Sequence, residues 1–130
     1  MLVYIFFPDP NDPPLPPEAV RLRDLRAEPW SNGPRVKVFL ELTPFEKRPS
    51  AEVILTSPEG TEAARTAILE TISRRLEFNL HLPPGSSPGE YTLHVTLYYQ
   101  KLPSAEQPDA PMPPPLIVDQ GEFSFTIPTR

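Results

Sequence analysis

Gly89-Glu-Tyr-Thr-Leu-His-Val-Thr-Leu-Tyr-Tyr99 places large apolar residues at its odd positions (Tyr91, Leu93, Val95, Leu97, Tyr99). Polar or amphipathic ones (Thr92, His94, Thr96, Tyr98) take the even positions. Such a period of two, in a segment rich in Thr, Val and Tyr, specifies a β-strand with one buried and one wet face. The preceding Leu82-Pro-Pro-Gly-Ser-Ser-Pro-Gly89 is a turn segment and fixes where the strand begins. This strand is expected at the centre of a sheet.

Working outward, Arg74 to Leu82 alternates in the same way, with Leu76, Phe78, Leu80 and Leu82 inward. So does Arg35 to Thr43, with Val36, Val38, Leu40 and Leu42 inward. Ala51 to Ser57 is a further strand through Val53 and Leu55. Val20 to Arg26 is another, its phase slipping at Asp24-Leu25 as a β-bulge would make it. Leu116–Val118 and Gly121 to Pro128, with Phe123, Phe125 and Ile127 inward, close the chain. Glu62 to Ile72 fits two periods: Ala64, Ala67, Ile68 and Ile72 at helical spacing, or Ala64, Thr66 and Ile68 on one face of a strand. The strand is favoured because every other element is one, and the helix stays open as the alternative. Met1–Phe7 is apolar on both phases, so as a strand it requires cover on both sides. The division expected is an apolar strand and proline-rich connector over residues 1–17, and a β-sandwich domain over residues 18–130. About eight short strands without βαβ rhythm predict an all-β antiparallel sandwich with long proline-rich connections.

Composition narrows the function classes. The 130 residues include no cysteine, which excludes disulfides, thiolate metal sites and a cysteine nucleophile and fits a reducing compartment. A formal net charge of -5 opposes general nucleic-acid binding. Proline occurs 21 times and glycine 5 times, which calls for stiff, extended connections. Met1–Phe7 has no basic flank or small-residue cleavage site and falls far short of the ~20 residues of a membrane span. A cytoplasmic protein without a membrane partner is the expectation.

The run Leu76-Glu-Phe-Asn-Leu-His-Leu-Pro83, a turn, then Pro88-Gly-Glu-Tyr-Thr-Leu-His-Val-Thr-Leu97 resembles the E and F strands of immunoglobulin-like and fibronectin type III-like sandwiches. The resemblance extends over roughly Val20 to Ile127 at the level of pattern. It implies that Tyr91, opening the F-like strand, makes the corner contact with the preceding connection. With neither a cysteine pair nor a core Trp on the third strand, an antibody-type domain is excluded. Such sandwiches host many functions, so the resemblance carries none over.

No catalytic constellation stands out. His81 and His94 fall on outward phases of strands that an immunoglobulin-like topology puts in opposite sheets, and the serines cluster in turns outside any G-x-S-x-G elbow. A non-enzymatic chain with neither cofactor nor metal is expected. Asp9-Pro-Asn-Asp12 is similar to the calcium-binding linker of cadherins, but Pro13 replaces the Asn that continues it there. Pro108-Asp-Ala-Pro111 has P-x-x-P spacing, which suits a stiff loop or a polyproline ligand. The segment Gln100 to Pro115 is expected to lie outside the core. The candidate partner surface comprises Val3, Tyr4, Ile5, Phe6 and Phe7, with the outward aromatics Phe39 and Tyr98. The last two belong to different sheets in an immunoglobulin-like order, and Trp30 sits in a turn. An interaction or assembly module follows, its partner a protein or a second copy acting through the Met1–Phe7 strand. The alternative is a module for carbohydrate or calcium.

Overall fold

The computed structural model of the chain describes residues 13–30, 34–100 and 113–128. Among them the period-two segments become seven strands: β1 (Leu22–Pro29), β2 (Arg35–Leu42), β3 (Ser50–Thr56), β4 (Glu62–Ile68), β5 (Arg75–His81), β6 (Gly89–Tyr99) and β7 (Leu116–Ile127). They form two antiparallel sheets, ordered β1-β2-β5 and β4-β3-β6-β7, packed as a sandwich. The only helical piece among these residues is a 3-10 turn at Pro17–Ala19. The eighth strand expected, Met1–Phe7, lies outside the described residues.

The two sheets meet along the rows that the alternation specified. Val36, Val38, Leu40 and Leu42 of β2 have no exposed surface. Facing them in the other sheet, Val53 and Leu55 of β3 and Tyr91, Leu93 and Leu97 of β6 have none either. Each such aliphatic side chain contributes about 1.5–3 kcal/mol through burial alone. The register of β3 on β6 sets Val53 beside Val95 and Leu55 beside Leu93, so the two middle strands share one apolar row.

The boundaries differ from the expectation in three places. The Glu62–Ile72 element is a strand, but it ends at Ile68. Ala64, Thr66 and Ile68 oppose Leu55, Val53 and Ala51 of β3. Beyond them Glu70 takes a positive φ of 46° and Thr71 donates its amide to the Pro49 carbonyl at 2.9 Å, which turns the chain out of the sheet. Ile72 is left 80% exposed on the connection, and the helical alternative is ruled out.

The last strand, read in two pieces, is continuous from Leu116 to Ile127, with one bulge opposite Leu97 and Tyr98. Asp119-Gln-Gly121 resembles a break in sequence but serves the packing. The Asp119 carboxylate accepts the Leu22 amide at 2.8 Å, and a Cβ at Gly121 would stand 2.9 Å from a Leu22 methyl.

The first strand carries the bulge foreseen near Asp24, between Leu22 and Asp24, then runs on to Pro29 instead of stopping at Arg26. Its continuation rests on Ala27, whose small side chain is a weak apolar signal in sequence yet is buried opposite Val38.

Leu15 is pinned against the β2–β3 connection. Its amide donates to the Pro44 carbonyl at 3.3 Å, and its carbonyl accepts the Glu46 amide at 2.9 Å. Of the segment Gln100 to Pro115, residues 101–112 lie outside the described part. Its flanks meet where Gln100 Nε2 donates to the Pro113 carbonyl at 3.3 Å.

Candidate interaction surface

Phe39 stands on the outward phase of β2, between Arg26 of β1 and Glu77 of β5. The hairpin register brings the Arg26 guanidinium 5.9 Å from the Phe39 ring centroid, a cation–π distance. One pair along the same face, Lys37 bonds Glu77 at 2.7 Å. That hydrogen bond and charge hold the Lys37 ammonium above the usual lysine range. Both groups are substantially exposed, so the pair orders the face more than it stabilises the fold.

Trp30 completes this row. Its amide donates to the Arg35 carbonyl at 2.9 Å, which closes the β1–β2 hairpin, and its indole Nε1 donates to Asn79 Oδ1 of β5 at 2.8 Å. The Arg35 guanidinium lies 5.0 Å from the Trp30 ring centroid, yet 39% of the residue remains exposed. The outer face of the three-stranded sheet therefore carries two aromatic rings, each with an arginine against it. An open depression of about 430 Å³ adjoins Phe39 and is also lined by Arg26, Ala27, Lys37, Glu77 and Phe123.

Of the predicted surface, Val3, Tyr4, Ile5, Phe6 and Phe7 lie outside the described residues. Phe39 and Tyr98 fall in opposite sheets, so the structure does not bring these two together. Tyr98 instead pairs with Ile117, which is 53% exposed, at the far end of the four-stranded sheet. Sequence reasoning placed Trp30 in a turn and missed the arginine that packs on each ring, Arg35 on Trp30 and Arg26 on Phe39. The available signal was the hairpin itself: Trp30 and Arg35 close it, and an unbroken register from there puts Arg26 opposite Phe39.

His81 and His94 lie in opposite sheets, and His94 Nδ1 is 3.3 Å from Glu122 across the β6–β7 pair. Among the described residues no three His, Cys, Asp or Glu side chains gather as a metal would require. The Asp9–Asp12 segment lies outside them.

At the opposite end of the sandwich from Leu15, the loops after β3 and β5 meet beneath Tyr91. The Tyr91 hydroxyl donates to the Ser87 carbonyl at 2.7 Å, the corner contact that the sequence resemblance implied. Its ring stacks on Phe125 with centroids 6.2 Å apart, and burial pushes its phenol pKa up. Ser57 and Thr61 share a 2.8 Å bond that closes the β3–β4 turn, and the Ser87 hydroxyl donates to Glu59, drawing that carboxyl below its usual range. Tyr91→Phe should cost about 0.5–1.5 kcal/mol, the net value of one hydrogen bond, while the ring packing persists. Chemical denaturation measures it. A neutral result would show that the corner bond contributes nothing.

No protein-family model and no curated protein matches this sequence. Among solved structures, the chain is similar to β-glucuronidase from Ruminococcus gnavus in complex with D-glucaro-d-lactam, at 16% identity and a TM-score of 0.46. That match covers 85% of this chain and 16% of the other. The complex of the same organism's enzyme with D-glucaro 1,5-lactone matches at 13% identity and 0.42, and its apo form at 14% and 0.41, with the same coverage of both chains. The chain thus spans 16% of the length of the enzymes it matches.

Proposed function

We propose that the chain is a non-catalytic interaction module that receives a protein partner on the outer face of its three-stranded sheet. The observation carrying this reading is the row formed by Trp30 with Arg35 and Phe39 with Arg26, beside an open depression. Trp and Arg are the residue types that dominate binding energy where proteins meet, and a rigid sheet presents them at little entropic cost. We further assign the sandwich to the immunoglobulin-like class, of the fibronectin type III-like kind. Two features support that assignment: the Tyr91 corner, and a fourth strand that pairs with the third.

The full chain, immobilised, is used to capture partners from its native host beside two variants, Phe39→Ala and the opposite-sheet control Thr92→Ala. A protein held by the unaltered chain and by Thr92→Ala should bind Phe39→Ala at least about tenfold more weakly. Trp30 is the single tryptophan of the chain, so its fluorescence reports occupancy of this face directly. Equal binding by all three chains, with no change in that fluorescence, would remove the reading.

A second reading, carbohydrate binding, is favoured by the half-exposed Trp30 indole, since sugar rings stack on such faces. A glycan array probed with the unaltered chain and with Trp30→Ala separates it from the first. Calcium, the remaining alternative, is tested by titration calorimetry with the ion alone.

A further inference from the structure

One sheet of the sandwich is a strand narrower than the other, and the edge beside β1 shows it. At one end β1 and β7 are tied together, by Asp119 on the Leu22 amide and by the Leu22 and Leu25 side chains over Gly121. Toward the other end Ala27 of β1 and Phe123 of β7 line one open depression. Phe123, Phe125 and Ile127 oppose Leu93, Tyr91 and Gly89, so they belong to the inner row, yet all three are only partly buried where Tyr91 and Leu93 are wholly so. That depression lies beside this partly buried row.

The free edge of β1 can be assigned from its bonds. Trp30 donates to Arg35, and in an antiparallel ladder the amides alternate in direction, so those of Glu28, Arg26 and Asp24 also turn toward β2. The amides of Leu25 and Ala27 therefore point away from β2. The bulge reverses the phase before Asp24, which is why the Leu22 amide points outward to Asp119. A strand edge with unpaired amides beside a half-open apolar row is a template for one more strand.

We propose that Met1–Phe7 of the same chain is that strand, adding antiparallel to the free edge of β1 along Leu25–Pro29. Its chemistry fits both sides of the position. One phase, whichever it is, must close over Phe123 and Phe125, and the other must lie beside the outer aromatic face. Leu2, Tyr4 and Phe6 on one phase, and Val3, Ile5 and Phe7 on the other, are apolar for either task. The reach also fits. Leu15 is fixed at the end of the sandwich where β1 begins, and the seven residues Pro8 to Pro14 extend about 20 Å at ~3.1 Å each. Leu25 is three residues into β1, about 10 Å along at ~3.3 Å per residue. A tether this short holds the segment at a high effective concentration by its own edge, which favours the same chain over a second copy. This inference shares the depression beside Ala27 with the partner reading, but its test reads the edge amides of β1, so the two fail separately.

Amide hydrogen exchange on the unaltered full chain tests it. Leu25 and Ala27 should exchange at least about a hundredfold more slowly than open-edge amides. In the full-chain variant Val3→Pro with Tyr4→Pro, which removes a ladder donor whichever phase faces β1, that protection should be lost while Val53 and Val95 stay protected. Solution mass should be that of a monomer for both chains. Three results would overturn the proposal: fast exchange at Leu25 and Ala27 in the unaltered chain, protection that survives the double substitution, or protection found only in a dimer. The first and third are read without the variant, so a variant that fails to fold does not shield the proposal.

Discussion

Leu93→Ala is expected to lower the unfolding free energy by about 2–4 kcal/mol, a drop in thermal midpoint on the order of 10 °C. Leu93 has no exposed surface and stands between Leu55 of β3 and Phe123 of β7, in the row that faces the other sheet. Truncation leaves a cavity whose walls belong to paired strands and cannot collapse into it. Thr96→Ala serves as the reference. Thr96 lies on the outward phase of the same strand, beside Glu52 and Gln120, and is half-buried. Its loss should cost well under 1 kcal/mol, as surface substitutions do. Thermal and denaturant unfolding of the two variants decides the matter. A Thr96→Ala cost above that of Leu93→Ala would mean that the inner and outer faces of β6 have been exchanged.

Gly89→Ala should cost about 2–3 kcal/mol, more than its size suggests. Gly89 opens β6 at a φ of +132°, a conformation that side chains rarely adopt, and a Cβ there would stand 2.9 Å from Cγ of Pro58. Pro58 is a rigid ring in the β3–β4 turn, so the contact is not relieved by a rotamer change. Gly60→Ala isolates the two effects. Gly60 has a φ of +85° with nothing within 4 Å of the added atom, so only backbone strain of about 1 kcal/mol is expected. Denaturant unfolding should rank Gly89→Ala as the more damaging. Equal costs would show that the approach of Pro58 does not constrain the start of β6.

How far the fold could be read depended on how far local pattern reported tertiary surroundings. The middle strands were legible because both of their neighbours are strands and their inner face meets the opposite sheet, which enforces strict alternation at Val36–Leu42 and Tyr91–Leu97. The edges were less so. Ile72 is apolar and in phase with Ile68, and the positive φ at Glu70 with the Thr71 amide on Pro49 takes it out of the sheet. Asp119 and Gly121 look like turn residues until Leu22 is seen to need an acceptor and a space. The interaction surface was half legible. Phe39 was marked by being aromatic on a wet phase, but its place on the same sheet face as Trp30 depends on a hairpin register that composition does not encode. The pairing of Phe39 with Tyr98 was rightly doubted, since that question turned on sheet order alone.

The bond from the Leu22 amide to Asp119 has a consequence for the order in which the molecule assembles. It joins residues 97 positions apart, so the first strand of the sandwich is capped by its last strand. A nascent chain can zip β2 to β1 early, because those strands are neighbours in sequence. It cannot seat the bulge of β1 against Gly121 until β7 exists. Closing a loop of that length carries an entropic cost before any contact rewards it, which places this step late and makes it slow. Until then the inner row of β6 lacks one wall, and the interval between translation and closure is when the chain is most open to wrong pairing.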